Sequence, residues 1–414
     1  MPRELRYGGL LLWTCVIGLA GGLVAAGYYE LLEAARSLVW HKSVAPVWVV
    51  TAVGGALVGA SLKYLGRPGE ISAVVDNIHL VGGKIDIKQT PSMVAASLIS
   101  ITFGGSAGPE APLVQVNGSL GSWLGERLGL PHETVRTLTF CGMGAALGAF
   151  FGAPLGGALF ALEIPHRRGL EYYEAIIPAT VSAILAWLVF RGLTGLSFGA
   201  LYHFAVPLEV TSRGVWIAAA CGLGGALVAG LFVLIFRGLE LAARPLEHWP
   251  VLLGAIGGLC IGVIAWVFPQ TLFFGEHEGK ELLEGGLALG AASLLCLAVA
   301  KMVAIGCTLH SGFRGGFIFP LFFIGACVGL AVTAMFPSVP APLAALCCMA
   351  AVNVAVTKTP VSTTVILATL SGFAVLPLLL VASFVSFLAT SRLALIRTQR
   401  SRSNEFPARA SKAA

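Results

Sequence analysis

The chain has 414 residues, of which 57% are hydrophobic and 11% charged, with 52 glycines and a mean hydropathy of +0.88. A soluble domain carries about 25% charged residues, so too few remain to cover a water-facing surface, and the composition indicates an integral membrane protein. Lys and Arg outnumber Asp and Glu for a net charge of +6, but no basic run interleaves with aromatics, so no nucleic-acid partner is expected. The excess gathers instead at Arg392, Arg397, Arg400, Arg402, Arg409 and Lys412 against the single acid Glu405, which predicts a basic cytoplasmic tail over 401–414.

Apolar stretches run in chain order near 8–38, 46–65, 91–104, 112–126, 137–162, 174–197, 212–236, 251–268, 285–308, 317–336, 341–356, 361–370 and 372–391. The first continues too far beyond Gly8 for a cleaved leader and is expected to stay and span. Several of the others fall short of the ~20 residues that cross hydrocarbon and read as half-helices. Broken backbone at membrane depth is tolerated only inside protein or along a wet cavity, so the breaks mark a transport pathway. The nine cysteines lie in apolar segments without metal-ligand spacing and read as small buried hydrophobes; neither a metal nor a cofactor is expected.

The chain also resembles itself. Met93-Val94-Ala95 returns as Met302-Val303-Ala304, and Pro112-Leu113 returns as Pro320-Leu321, 208 residues on. Cys141-Gly142-Met143 followed by Pro154 matches Cys347-Cys348-Met349 followed by Pro360, and Pro178 matches Pro377. Two membrane repeats, about 1–205 and 206–400 with a link at Pro207 to Arg213, follow from this register. Packing such repeats around a midplane site of discontinuous helices is a recurrent transporter plan. Whether the repeats are parallel or inverted depends on the number of crossings, which half-helices leave open.

Each glycine-rich break leads into a proline placed for a first helical turn: Pro112, Pro154, Pro320 and Pro360. Such a turn exposes free amides and about half a positive charge, an anion site, and the glycines at 104, 105, 108, 312, 315 and 316 let backbone approach a small ligand. Glu110 sits inside the first break with apolar runs on both sides. An acid there is a functional candidate: it either caps the helix or, being itself an anion, occupies the anion's place and leaves when protonated. Gly104-Gly105-Ser106-Ala107-Gly108 also fits the nucleophile elbow of an intramembrane serine hydrolase, a distant alternative that needs a preceding strand and a partnered His, for which His310 is the nearest candidate. Lys301 is a second intramembrane charge, either lining the pathway or snorkelling, while Arg314 and Lys358 read as ordinary interfacial anchors, with raising local anion concentration as the alternative.

Gly108-Pro109-Glu110-Ala111-Pro112, Gly315-Gly316-Phe317-Ile318-Phe319-Pro320 and Phe151-Gly152-Ala153-Pro154-Leu155 leading to Glu163 resemble, in order and spacing, the G-R-E-G-P, G-G-x-F-x-P and F-x-A-P-L motifs of the CLC family of chloride channels and chloride/proton antiporters. The resemblance implies an all-α membrane fold of two inverted-topology repeats whose broken helices meet at a midplane anion site. It also implies a homodimer with one pore per subunit, contacts through the helices after Pro154 and Pro360, and a bacterial inner-membrane location. Glu110 falls on the family's gating glutamate, and Gly108, Phe317 and Ile318 fall where backbone amides hold the anion. Four departures stand out. The family's anion-coordinating serine aligns with Gly66, the inner-gate tyrosine has no counterpart after Tyr202, Pro109 replaces an amide donor, and the antiporters' second proton-handling glutamate aligns with Ile164. Glu163 beside it reads as a structural helix-end residue, and no cytoplasmic nucleotide-sensing domains are expected after the last helix. The resulting expectation is a Glu110-gated chloride channel with a pathway near Gly66, Ser106 and Lys301, and chloride/proton antiport as the alternative.

Overall fold

The computed structural model describes residues 3–42, 44–69, 71–196 and 210–402. Much of the basic tail and residues 207–209 of the expected link lie outside them. Among the described residues there are sixteen α-helices: α1 (Arg3–Lys42), α2 (Val47–Tyr64), α3 (Ile71–Leu80), α4 (Thr90–Thr102), α5 (Glu110–Arg127), α6 (His132–Phe151), α7 (Pro154–Glu163), α8 (Ile176–Thr194), α9 (Ser212–Ala243), α10 (Pro250–Val267), α11 (Glu276–Gly285), α12 (Gly290–His310), α13 (Ile318–Met335), α14 (Ala341–Thr357), α15 (Pro360–Ser371) and α16 (Leu376–Ala389). The structure is all-α; its extended backbone includes a single antiparallel bridge between Gly108 and Gly316.

Element order repeats after α8. Pro112 and Pro320 are each the third residue of their helix, and Pro154 and Pro360 each the first, where a missing N–H leaves no intrahelical bond unmade. Packing repeats too: α5 on α6 is matched by α13 on α14, α1 on α8 by α9 on α16, and α6 on α8 by α14 on α16. The equivalent helices α2 and α10 cross backbone to backbone at Gly55 and Gly254. A Cβ on either would stand about 2 Å from the other's carbonyl oxygen, so only glycines permit this approach.

Helix length separates the roles. Among the described residues, eight helical segments are long and apolar enough to cross a membrane, whereas α3, α7 and α15 have 10, 10 and 12 residues. The short helices are held in protein. α7 and α15 pack on each other and α15 is largely buried within the chain, while Ile177, Ile184 and Leu188 of α8 leave large apolar surface exposed.

Three expectations are corrected at this level. Lys301 neither lines the pathway nor snorkels: it is fully buried, and its Nζ donates to the carbonyls of Thr271, Leu272 and Phe273 at 3.1, 3.2 and 2.9 Å. It therefore fastens the turn between α10 and α11. Lys358 is not an interfacial anchor; it is buried and donates to the Thr390 carbonyl and hydroxyl at 2.6 and 2.8 Å. Of the nine free cysteines, Cys260 and Cys296 are exposed, on faces long enough to meet lipid, and Cys15 and Cys307 are half-buried.

Candidate functional site

The two glycine-rich breaks meet. Gly108 N–H donates to the Gly316 carbonyl at 2.8 Å and Gly316 N–H donates back at 2.6 Å, which sets the starts of α5 and α13 side by side. Phe319, in the first turn of α13, is wedged among Phe150, Phe151 and Phe274 with ring centroids 5.4 to 5.9 Å away, so apolar packing fixes where that turn points. Glu110, the first residue of α5, reaches across, and its Oε1 accepts from Ile318 N–H at 2.9 Å. The Phe319 N–H follows in the same first turn of α13. Glu110 is 1% exposed, and its Oε2 has no hydrogen-bond partner.

Glycine leaves room for this carboxylate where the chain passes it. A Cβ on Gly316 would lie 2.4 Å from Glu110 Cδ, and one on Gly108 would lie 2.0 Å from Oε2. Gly108 was expected to contribute an anion-binding amide, and that expectation is corrected: its N–H is already engaged by Gly316. The amide that meets a negative charge is that of Ile318, with Phe317 standing as the residue before the first turn.

A cavity of about 430 Å³ opens beside the carboxylate. Glu110, Gly316, Phe317, Ile318, Gln115 and Ile164 line it. Glu240, Glu247, His310, Arg314 and Arg397 line the same cavity. Gly66 is exposed at the end of α2, outside the wall, with its carbonyl accepting from Ser92 Oγ. Ser72, in the first turn of α3, lines the cavity and carries a hydroxyl. Ser106 is buried away from the wall; its N–H donates to Thr308 Oγ1 at 3.0 Å and its own hydroxyl has no partner. Helix α4 precedes it rather than a strand, so the elbow geometry of a hydrolase is not there.

Ile164 presents an aliphatic side chain to the cavity, while Glu163 turns away from it. Both Glu163 oxygens are bound at the start of α15, by Val361 N–H at 3.1 Å, Ser362 N–H at 2.8 Å and Ser362 Oγ at 2.6 Å. Beyond α16, residues Leu395 to Thr398 line the cavity as a non-helical strap. Gln399 holds the strap by donating to the carbonyls of Ile164 and Thr357 at 2.8 and 2.7 Å. Sequence reading missed Gln115, Ser72 and Asn353. Asn353 donates to the Ile318 carbonyl at 3.3 Å, and the signal for it was a lone amide within the apolar run 341–356.

Broken helices, a buried carboxylate on a helix start and a cavity behind it define a multi-pass membrane protein that moves small anions. The family described as "Voltage gated chloride channel" matches residues 55–391, and the chain belongs to that family, the CLC family. It is 28% identical over 399 residues to a "Chloride/fluoride channel protein" of Pseudomonas syringae, covering 94% of this chain and 86% of the relative. It is 29% identical over 374 residues to a "Putative ion-transport protein YfeO" of Salmonella typhimurium, covering 86% and 88%. Two solved structures share the fold: a CLC-type fluoride/proton antiporter (TM-score 0.82, 22% identity, 97% of this chain and 100% of the other) and a slow cyanobacterial Cl−/H+ antiporter (TM-score 0.80, 22% identity, 93% and 94%). The inverted-repeat architecture expected from the motifs is the architecture of this family.

Proposed function

We propose that the protein is an anion channel of this family whose gate is the side chain of Glu110. The observation that carries the reading is the carboxylate itself, seated on the Ile318 amide at the positive end of α13. A halide attracted by the same dipoles competes with it for one place. Protonation removes the charge that holds the side chain there, so flux rises as pH falls. The cargo is chloride or fluoride, the latter extended to this chain from the name of the Pseudomonas syringae relative. Phe317 and Ile318 supply the backbone contacts, and Ser72 takes the place first sought at Gly66. Residues 1–205 and 206–400 form the two repeats, a homodimer carries one pore in each subunit, and the protein lies in a bacterial inner membrane with its C-terminus cytoplasmic.

Ile164 supports passive conduction, because an aliphatic wall cannot relay a proton to Glu110. A second reading, anion/proton antiport, is favoured by Glu240, Glu247 and His310, which line the same cavity and offer titratable groups along it. Reconstitution in liposomes under a chloride gradient decides between them. Chloride efflux without uphill proton movement is the outcome expected of the channel; chloride-driven proton uptake against its gradient establishes the exchanger instead. Loss of all anion flux in the folded wild-type protein removes both.

A further inference from the structure

An asparagine in the middle of an apolar membrane helix is costly unless its amide is fully paired. Asn353 of α14 is completely buried, and both ends of its amide are engaged. Nδ2 donates to the Ile318 carbonyl at 3.3 Å, and Oδ1 accepts from Thr357 Oγ1 at 3.0 Å. The hydroxyls continue from Thr357 to Thr359 at 2.6 Å and from Thr359 to Thr363 at 3.0 Å, within the first turn of α15. This chain fixes the orientation of the amide: flipping it would set Oδ1 against the Ile318 carbonyl, acceptor against acceptor.

The Ile318 carbonyl belongs to the same peptide group as the Phe319 N–H, the next first-turn amide of α13 after the Ile318 N–H that Glu110 Oε1 accepts from at 2.9 Å. A donor placed on the oxygen of a peptide group polarises it and strengthens its N–H as a donor, by about 10–30% per bond. Asn353 therefore acts on the anion place from behind, through a neutral peptide, without bringing a full positive charge near the ion. Such a field favours anions of high charge density over large, weakly hydrated ones, since selectivity follows the number and strength of the coordinating dipoles.

From this geometry we infer that Asn353 is a positioning residue that sets the anion preference of the α13 site, held in register by Thr357, Thr359 and Thr363. The inference rests on the proposed transport function. Its test is the half-saturating concentration of chloride, fluoride and thiocyanate for flux into vesicles carrying wild-type protein, N353L or T357V. N353L keeps the volume and removes the donor. It is expected to raise the chloride and fluoride values roughly three- to fivefold while leaving thiocyanate nearly unchanged. T357V, which releases the amide's other end, should shift them the same way by less, and it decides the question alone if N353L does not fold. A merely structural role would change the amount of active protein and leave the order of anions intact. An equal shift for all three anions, or none, overturns the inference while leaving the transport function standing. Wild-type vesicles without Glu110-dependent flux overturn the transport function and this inference with it.

Discussion

Two buried glutamates reach from the first half of the chain onto helix starts in the second. Glu163, at the end of α7, meets three donors at the start of α15 and leaves neither oxygen wanting. Glu110, at the start of α5, accepts one backbone bond, from Ile318 N–H at the start of α13, and its second oxygen is unpartnered beside a cavity. The same chemical group in the same kind of dipole is fully bound in one place and half-bound in the other. What differs is how completely the surroundings satisfy it and whether there is room to leave. A fully bound carboxylate must break every bond at once to move, and nothing near Glu163 would replace them.

The comparison is broken most severely at Glu163. E163A leaves two amides and a hydroxyl buried without an acceptor, at about 1–3 kcal/mol each, so thermal unfolding in detergent should show a large drop in midpoint or no folded protein. E110A should leave that midpoint close to wild type. Equal losses in the two variants would show that Glu110 is a fastening as well. The next effect is on flux. A charged hydrogen bond is worth about 1.5–3 kcal/mol, so freeing the amide site in E110Q should raise anion flux at neutral pH roughly tenfold or more and flatten its pH profile, read by chloride efflux from vesicles. A retained pH profile would place the gate elsewhere.

G316A is a gentler version of the same perturbation. Its methyl group would occupy the place of Glu110 Cδ, so the carboxylate should be displaced. A several-fold rise in flux at high pH, smaller than in E110Q, is the expected reading. The smallest effect concerns the Glu163 end. His166 follows it in the loop before α8, donating its N–H to the Glu163 carbonyl at 3.0 Å, and burial lowers its imidazole to about 4. The folded state then binds fewer protons than the unfolded one between the usual histidine value near 6.5 and about 4. The stability it contributes is complete above pH 6.5 and is lost as pH falls through 4. H166N should flatten the unfolding midpoint over that window and leave the pH response of flux untouched, separating acid effects on the fold from acid effects on the gate.

The repeat, the four helix-starting prolines and the pairing of the two breaks were legible because they are local signals recurring at a fixed register. Glu110 was legible for a related reason: an acid between apolar runs has few uses in a membrane. Lys301 and Gly108 were misjudged, each because its role depends on what lies across from it. Lys301 looks like a pathway charge until three carbonyls of a distant turn close around it. Gly108 looks like a free amide until its repeat mate takes that amide. Asn353 was passed over because an amide has no net charge to draw notice, although its position within an apolar helix was the available clue.

By itself, the order of residues determined that this is a multi-pass membrane protein of interrupted helices, duplicated, with one exceptional acid at a break. Periodicity, proline placement and the cost of burying charge all act within a few residues of the chain, so they can be read along it. Only the tertiary structure decided which oxygen meets which amide, which glutamate is fully bound and which keeps an unpartnered oxygen, and where the cavity lies. Those outcomes depend on contacts between residues about 200 positions apart, brought together by close helix packing that no local pattern encodes.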